Sequence, residues 1–353
     1  MGKRSGQSVV LDRLPVIMGC SAAITMAVLA ITAPALAAPS RAEVALRWAP
    51  VHYQDVDATG DHALSGKSDF ITRYDFDGNL VGRDNWDHAG QSTAAAAYYS
   101  VVETGSHWFV TYFFFHARDW VDHPFFETEH ENDGEGLTEI IEKDGSAYGV
   151  LRAAVTVAHS DFYSFTPAGS TWTDGKETID GTLEFKASPH DQFQHPVTAQ
   201  QAQGHGLKAW PQYDINGDGV VYYPSLTASE SPGAADDRDV QYQLIDIFAA
   251  GGMWAQRDNA NLFAALGTFA GDTTGGCGTG TWSCGTNSAN APWGWDDGND
   301  VPARGEIATD PATLSADYFT VPGTLARTYT YNPYAADSAA LKKAAATLPR
   351  TID

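Results

Sequence analysis

The chain has 353 residues, with 44 Asp and Glu against 21 Lys and Arg and a formal net charge of −23. Phosphate backbones would be repelled by such a surface, which excludes nucleic acid as a partner. Clustered carboxylates also repel one another unless a cation sits among them, so the excess points towards cation binding.

The opening "MGKRSGQSVVLDRLPVIMGCSAAITMAVLAITAPALAAPS" joins a basic start to an apolar stretch and small residues. This pattern predicts a signal peptide over residues 1–37 and a secreted, extracellular protein over 38–353. Removing the +2 of the leading segment brings the mature charge near −25. No later stretch has ~18 unbroken apolar residues, so no transmembrane anchor is expected. A single domain and a monomer are expected.

Taken in order, "YDFDGNLVGRDNWDHA" (74–89) reads as a hairpin with a "DGN" turn. Asp75, Asp77, Asn79, Asp84 and Asp87 give it a secondary reading as a cation loop. "HWFVTYFFFHA" (107–117) is a β-prone run predicted as a central strand. The stretch from Leu137 to Phe165 predicts two strands around the turn "KDGS". "GTLEFKA" and "PVTAQQAQGHG" predict further strands, the second running into a Gly-rich turn. "YQLIDIFAAGGMWAQR" (242–257) and "DPATLSADYF" (310–319) predict helices, the latter with Asp310 as N-cap and Pro311 at the first helical position. A long loop over 271–294 contains Cys277 and Cys284, a close pair expected to form a disulfide in an exported chain. An Ala-rich helical tail follows Ala335. Many strands with few helices imply a mainly β fold, expected as a decorated β-sandwich.

Four stretches carry candidate chemistry. In "ETEHENDGEG" an extended backbone would place Asp133 and Glu135 on one strand face, with His130 at its start. Carboxylates with one imidazole suit a divalent cation, Ca2+ or Mg2+ first and Mn2+ next. Glu127, Glu129 and Glu131 read as the solvated remainder. In "QGHGLKAW", His205 stands between two glycines that allow a tight turn, and His159 is a lesser candidate. "YDINGDG" gives Asp214, Asn216 and Asp218 the first half of a calcium loop, or else an Asx-rich turn. Trp293 and Trp295, beside Asp296, Asp297 and Asp300, suggest a sugar-stacking wall.

"FFFHARDW…EHENDGEG" resembles the core motif of the necrosis- and ethylene-inducing protein family of secreted cytolysins. That resemblance implies a β-sandwich with a bound divalent cation. It puts Asp119 at the family's turn aspartate and His130, Asp133 and Glu135 on its heptapeptide. Gly134, Asn132 and Glu129 depart from the heptapeptide, and the spacing from Asp119 to His130 is longer. "RWAPVHYQDVD" and "HPVTAQQAQGHGLKAW" resemble stretches of the vacuolar protein sorting sixty-two family, placing His205 at its histidine.

The expectation is a cytolysin-like protein whose cation site, Asp119, His130, Asp133 and Glu135, engages an extracellular glycan or sugar-bearing lipid. The alternative is a metal-assisted extracellular hydrolase of a polysaccharide or other polymer, with Glu135 or His205 as general base. A third reading gives the cations a purely structural role.

Overall fold

The computed structural model describes residues 38–60, 62–91, 94–122, 129–215, 217–271, 287–298 and 302–347. The expected signal peptide, Glu127, Asn216, Asp300 and the cysteine pair Cys277 and Cys284 lie outside them. All the described residues belong to one compact unit, Ala38–Asp353. Among them, no helix is long and apolar enough to cross a membrane.

The fold is mainly β. It opens with helix α1 (Arg41–Trp48), started by a capping box in which the Ser40 N–H donates to Glu43 Oε2 at 2.7 Å. Strand β1 (Val51–Asp55) follows, and a short helix α2 (Asn85–His88) comes later. Then β2 (Ala96–Thr104), β3 (His107–Asp119), β4 (His130–Glu142), β5 (Val150–Ala158) and β6 (Asp161–Pro167) form an antiparallel series.

Where two stacked sheets were expected, these strands join a single mixed sheet of thirteen. Its path runs from Leu207–Ala209 through Gln194–Gln200, β1, Gly219–Ser225 and Val240–Asp246 to β2, and from there in chain order to β6 and Gly181–Leu183. The sheet curls until its first strand, Leu207–Ala209, meets β4, β5 and Gly181–Leu183 at the other end.

The aromatic run in β3 explains why both faces are covered. Phe109, Phe113 and Phe115 enter one core, while Val110, Tyr112 and Phe114 enter the other. Each such side chain contributes about 1.5–3 kcal/mol on burial. The second core lies inside the curl and is closed by Val44, Ala45 and Trp48 of α1. The first core is covered by the chain after Asp246, with Trp254, Phe263, Trp293, Trp295 and Leu314 among its members.

Two helix expectations divide. Pro311–Tyr318 is helical, but its Asp310 makes no capping bond and accepts instead from Tyr329 Oη at 2.5 Å. The start of the other is a strand, Val240–Asp246, followed by a 3-10 turn at Met253–Gln256. Alternation decides it: Val240, Tyr242 and Leu244 are buried while Gln241 and Gln243 are not, a period of two.

Candidate functional site

β4 begins with the acidic stretch, and its pairing with β3 sorts the residues. Asp119 faces His130, His116 faces Asp133, and Phe114 faces Glu135. Asp133 and Glu135 therefore share the face that further along carries Leu137 into the inner core. The glycines between them serve the opposite face. A side chain at Gly134 would collide with Phe113, and one at Gly136 would come 2.6 Å from Trp295. The Trp295 Nε1–H donates to the Gly134 carbonyl at 3.0 Å. The "DGEG" pattern is thus acid on one face and aromatic clearance on the other.

Asp133 and Glu135 are each 5% exposed, and their bonds look inward. Asp133 Oδ1 accepts the Gly134 N–H at 2.7 Å. Asp133 Oδ2 lies 2.8 Å from His205 Nδ1. Glu135 Oε1 accepts the His159 N–H at 2.9 Å, which fixes the turn between β5 and β6.

His205 is fully buried, and its Nε2 lies 3.2 Å from Asp69 Oδ1. Asp69 is itself immobilised, accepting the Trp120 Nε1–H at 2.8 Å and the backbone N–H groups of Gln203 at 2.9 Å and Asp57 at 2.8 Å. Burial disfavours a charged imidazole, but the hydrogen bonds to Asp133 and Asp69 outweigh it and hold His205 at about 9. At neutral pH it is an imidazolium, donating one N–H to each carboxylate.

His116 stacks on this ring, with centroids 3.7 Å apart and planes 4° from parallel. Burial, and then the charge on His205, keep His116 neutral by pushing its pKa well below the usual histidine value. Its Nε2 is 3.2 Å from Gln200 Oε1, and Gln200 Nε2 donates to the His205 carbonyl at 2.6 Å. Among the described residues, four of the six non-glycine residues with positive φ border this network: Asn132, His159, Gln203 and His205. Each such conformation costs about 1–3 kcal/mol and persists where its surroundings over-determine it.

The water-facing part is Asp119 and His130, with side chains 19% and 18% exposed and His130 Nε2 3.3 Å from Asp119 Oδ2. His130 Nδ1 meets the Asn132 carbonyl at 2.9 Å. Burial opposes its charge, but Asp119 first and then Asp133 raise it to about 9, so this ring also donates from both nitrogens.

The remaining candidates are placed elsewhere. Trp293 and Trp295 are 1% and 3% exposed, so neither ring has a face for a sugar; they pack against Trp254 and Phe113. This corrects the expected stacking wall. Asp214 and Asp218 are exposed, and Asp214 Oδ1 accepts the Ile215 N–H at 2.8 Å. Among the described residues, the one group of three acidic or imidazole side chains gathered closely enough for an ion is Asp77, Asp84 and His88. The sequence reading named the two aspartates and passed over His88, although Asp84 and His88 stand four residues apart.

Asp69, His116 and Gln200 were also missed, and no local pattern marks them. They meet only because the 3-10 segment Leu64–Asp69, β3 and Gln194–Gln200 converge.

No family model and no curated protein matches the chain. Among solved structures, one described as "Toxin fold for microbial attack and plant defense" is 17% identical, covering 71% of this chain and 83% of that one at a TM-score of 0.29. A structure of NLPPya in complex with glucosamine is 14% identical with the same coverages and a TM-score of 0.31. Necrosis and Ethylene inducing Protein 2, from the causal agent of cocoa's Witches Broom disease, is 12% identical, covering 62% and 80% at 0.28. Likeness at such TM-scores does not establish a shared fold, and the site stands on its own geometry.

Proposed function

We propose that this chain is a secreted, cytolysin-like protein that engages hydroxyl groups of an extracellular glycan or sugar-bearing lipid at the rim formed by Asp119 and His130. The observation that carries the reading is that pair: a carboxylate and a doubly protonated imidazole, opposite each other on β3 and β4 and partly exposed. A carboxylate accepts from a sugar hydroxyl, and His130, whose two N–H groups meet Asp119 and the Asn132 carbonyl, holds that carboxylate in place and charged. The motif resemblance points the same way.

The cation implied by that resemblance fits the four expected ligands poorly. His205 already holds Asp133, and Glu135 holds the His159 turn. Binding is therefore assigned to the rim side chains themselves. The hydrolase reading gains no observation, since both ring nitrogens of His205 face carboxylates.

The test is binding of the purified protein to a soluble glycan panel and to vesicles with and without a sugar-bearing lipid. A sugar-dependent signal that falls at least ~10-fold in both Asp119→Asn and His130→Gln supports the reading. Equal binding by wild type and both variants, or no sugar dependence at all, rules it out.

A further inference from the structure

A second cluster of ligand-type side chains lies in the segment before β2, apart from the rim. Asp77 in the "DGN" turn, Asp84 just before α2 and His88 at its end each offer one ligand atom, all within 4.8 Å of one another. His88 Nδ1 is 2.8 Å from Asp77 Oδ2 and 4.0 Å from Asp84 Oδ2. The Asn79 side-chain amide donates to both carboxylates, at 2.6 Å and 3.2 Å.

Two further observations indicate that a positive charge belongs there. The Asp77 side chain is only 1% exposed, so its carboxylate has been taken out of water. Asp84 Oδ1 is also shut off from water and meets no hydrogen-bond donor among the described residues. The neighbouring arginines face elsewhere. Arg73 makes a two-pronged pair with Asp75 at 2.9 and 3.1 Å, and Arg83 reaches towards the Ala260 carbonyl. The rest of the Asp84 side chain is 34% exposed, so a carboxylate taken out of water meets a partly exposed one with a buried, orphaned oxygen, an arrangement that a cation between them would relieve.

We propose that Asp77, Asp84 and His88 bind one divalent cation and that this ion pins α2 to the "DGN" turn. Two oxygens and one imidazole nitrogen, with water completing the shell, suit a borderline ion such as Zn2+ or Mn2+. Ca2+ takes six to eight oxygen ligands and is the poorer match.

The site has a structural reach. In α2, Asn85 Nδ2 donates to Asn132 Oδ1 at 2.6 Å, and the Trp86 N–H donates to Glu131 Oε1 at 3.3 Å. Arg118 donates to the Trp86 carbonyl from Nε at 3.0 Å and Nη2 at 2.6 Å. Fixing Asp84 and His88 thus steadies the helix that holds left-handed Asn132, the residue before Asp133.

The test is calorimetric titration of the chelator-stripped, full-length mature protein with ZnCl2, MnCl2 and CaCl2 separately. One equivalent of Zn2+ or Mn2+ should bind at least ~10-fold more tightly than Ca2+. Asp84→Asn and His88→Gln should each weaken that binding at least ~10-fold, while Asp133→Asn should leave the stoichiometry unchanged. Circular dichroism melts of the stripped variants confirm folding, and His88→Gln alters a ring that is 34% exposed. Folded wild type that binds no Zn2+ or Mn2+ overturns the proposal. So does binding untouched by Asp84→Asn and His88→Gln, or lost only in Asp133→Asn.

Discussion

Two histidines here stand between pairs of aspartates, and they meet the negative charge in different ways. At Asp69–His205–Asp133 each ring nitrogen faces its own carboxylate, 3.2 and 2.8 Å away, and the ring is fully buried. At Asp77–His88–Asp84 a single nitrogen faces both carboxylates, 2.8 and 4.0 Å away, and the ring is one-third exposed. A histidine that divides its two N–H groups between two carboxylates becomes the cation of the cluster. One that turns a single nitrogen to both leaves the second carboxylate uncompensated, and an ion has a reason to bind. Residue type alone does not separate the two cases; ring orientation does.

The largest expected effect follows from removing the buried cation. His205→Ala leaves Asp69 and Asp133 facing each other out of water and should destabilise the fold by about 3–5 kcal/mol in denaturant unfolding. A loss no larger than that of a surface substitution would show that His205 carries no charge. Saturating the other cluster with its ion at about 100 times Kd should add roughly 2.7 kcal/mol, read as a raised melting temperature. That rise should vanish in Asp84→Asn.

The pH dependence separates the clusters further. His205 is raised to about 9 from the usual histidine value of 6.5, so its stabilisation is complete below ~6.5 and is lost as pH climbs through ~9. The loss over that window should be on the order of 3 kcal/mol for the wild type, and clearly smaller for His205→Gln. His130, also at about 9, contributes in the same direction.

Two smaller effects probe β4 itself. Gly134→Ala pushes a methyl group into Phe113 and should cost about 1–3 kcal/mol through overpacking. Glu139, on the same face as Asp133 but further inside, has burial pushing its carboxyl well above the usual range, with Arg47 opposing. Burial thus favours its neutral form, and Glu139→Gln should shift stability by less than about 1 kcal/mol. A large loss there would mean that the inner core holds a charge.

Much of the sheet was legible because it obeys local rules. The run from His107 to Asp119 is too rich in aromatic and β-branched residues to be anything but a strand. Val240–Asp246 was misread because its apolar residues were fitted to a helical period, while its Gln–Tyr–Gln–Leu alternation is a strand's. Asp133 and Glu135 were visible as neighbours on a face, but their partners were not. His205 comes from 72 residues downstream and His159 from 24, so their contacts are properties of the curled sheet. Trp293 and Trp295 looked like ligand residues from their polar neighbours, yet Gly136 of β4 leaves space for Trp295 and Gly267 for Trp293 in the core. The Asp84–His88 spacing was readable, since residues four apart share a helix face.

The central cluster depends most on His205 being its cation. Nitrogen-resolved NMR of the imidazole rings across pH 5–10, with His205→Gln to assign the signal, tests it directly. Both ring nitrogens should remain protonated until the pH approaches ~9. A His205 ring that is singly protonated and neutral at pH 7 would contradict the account.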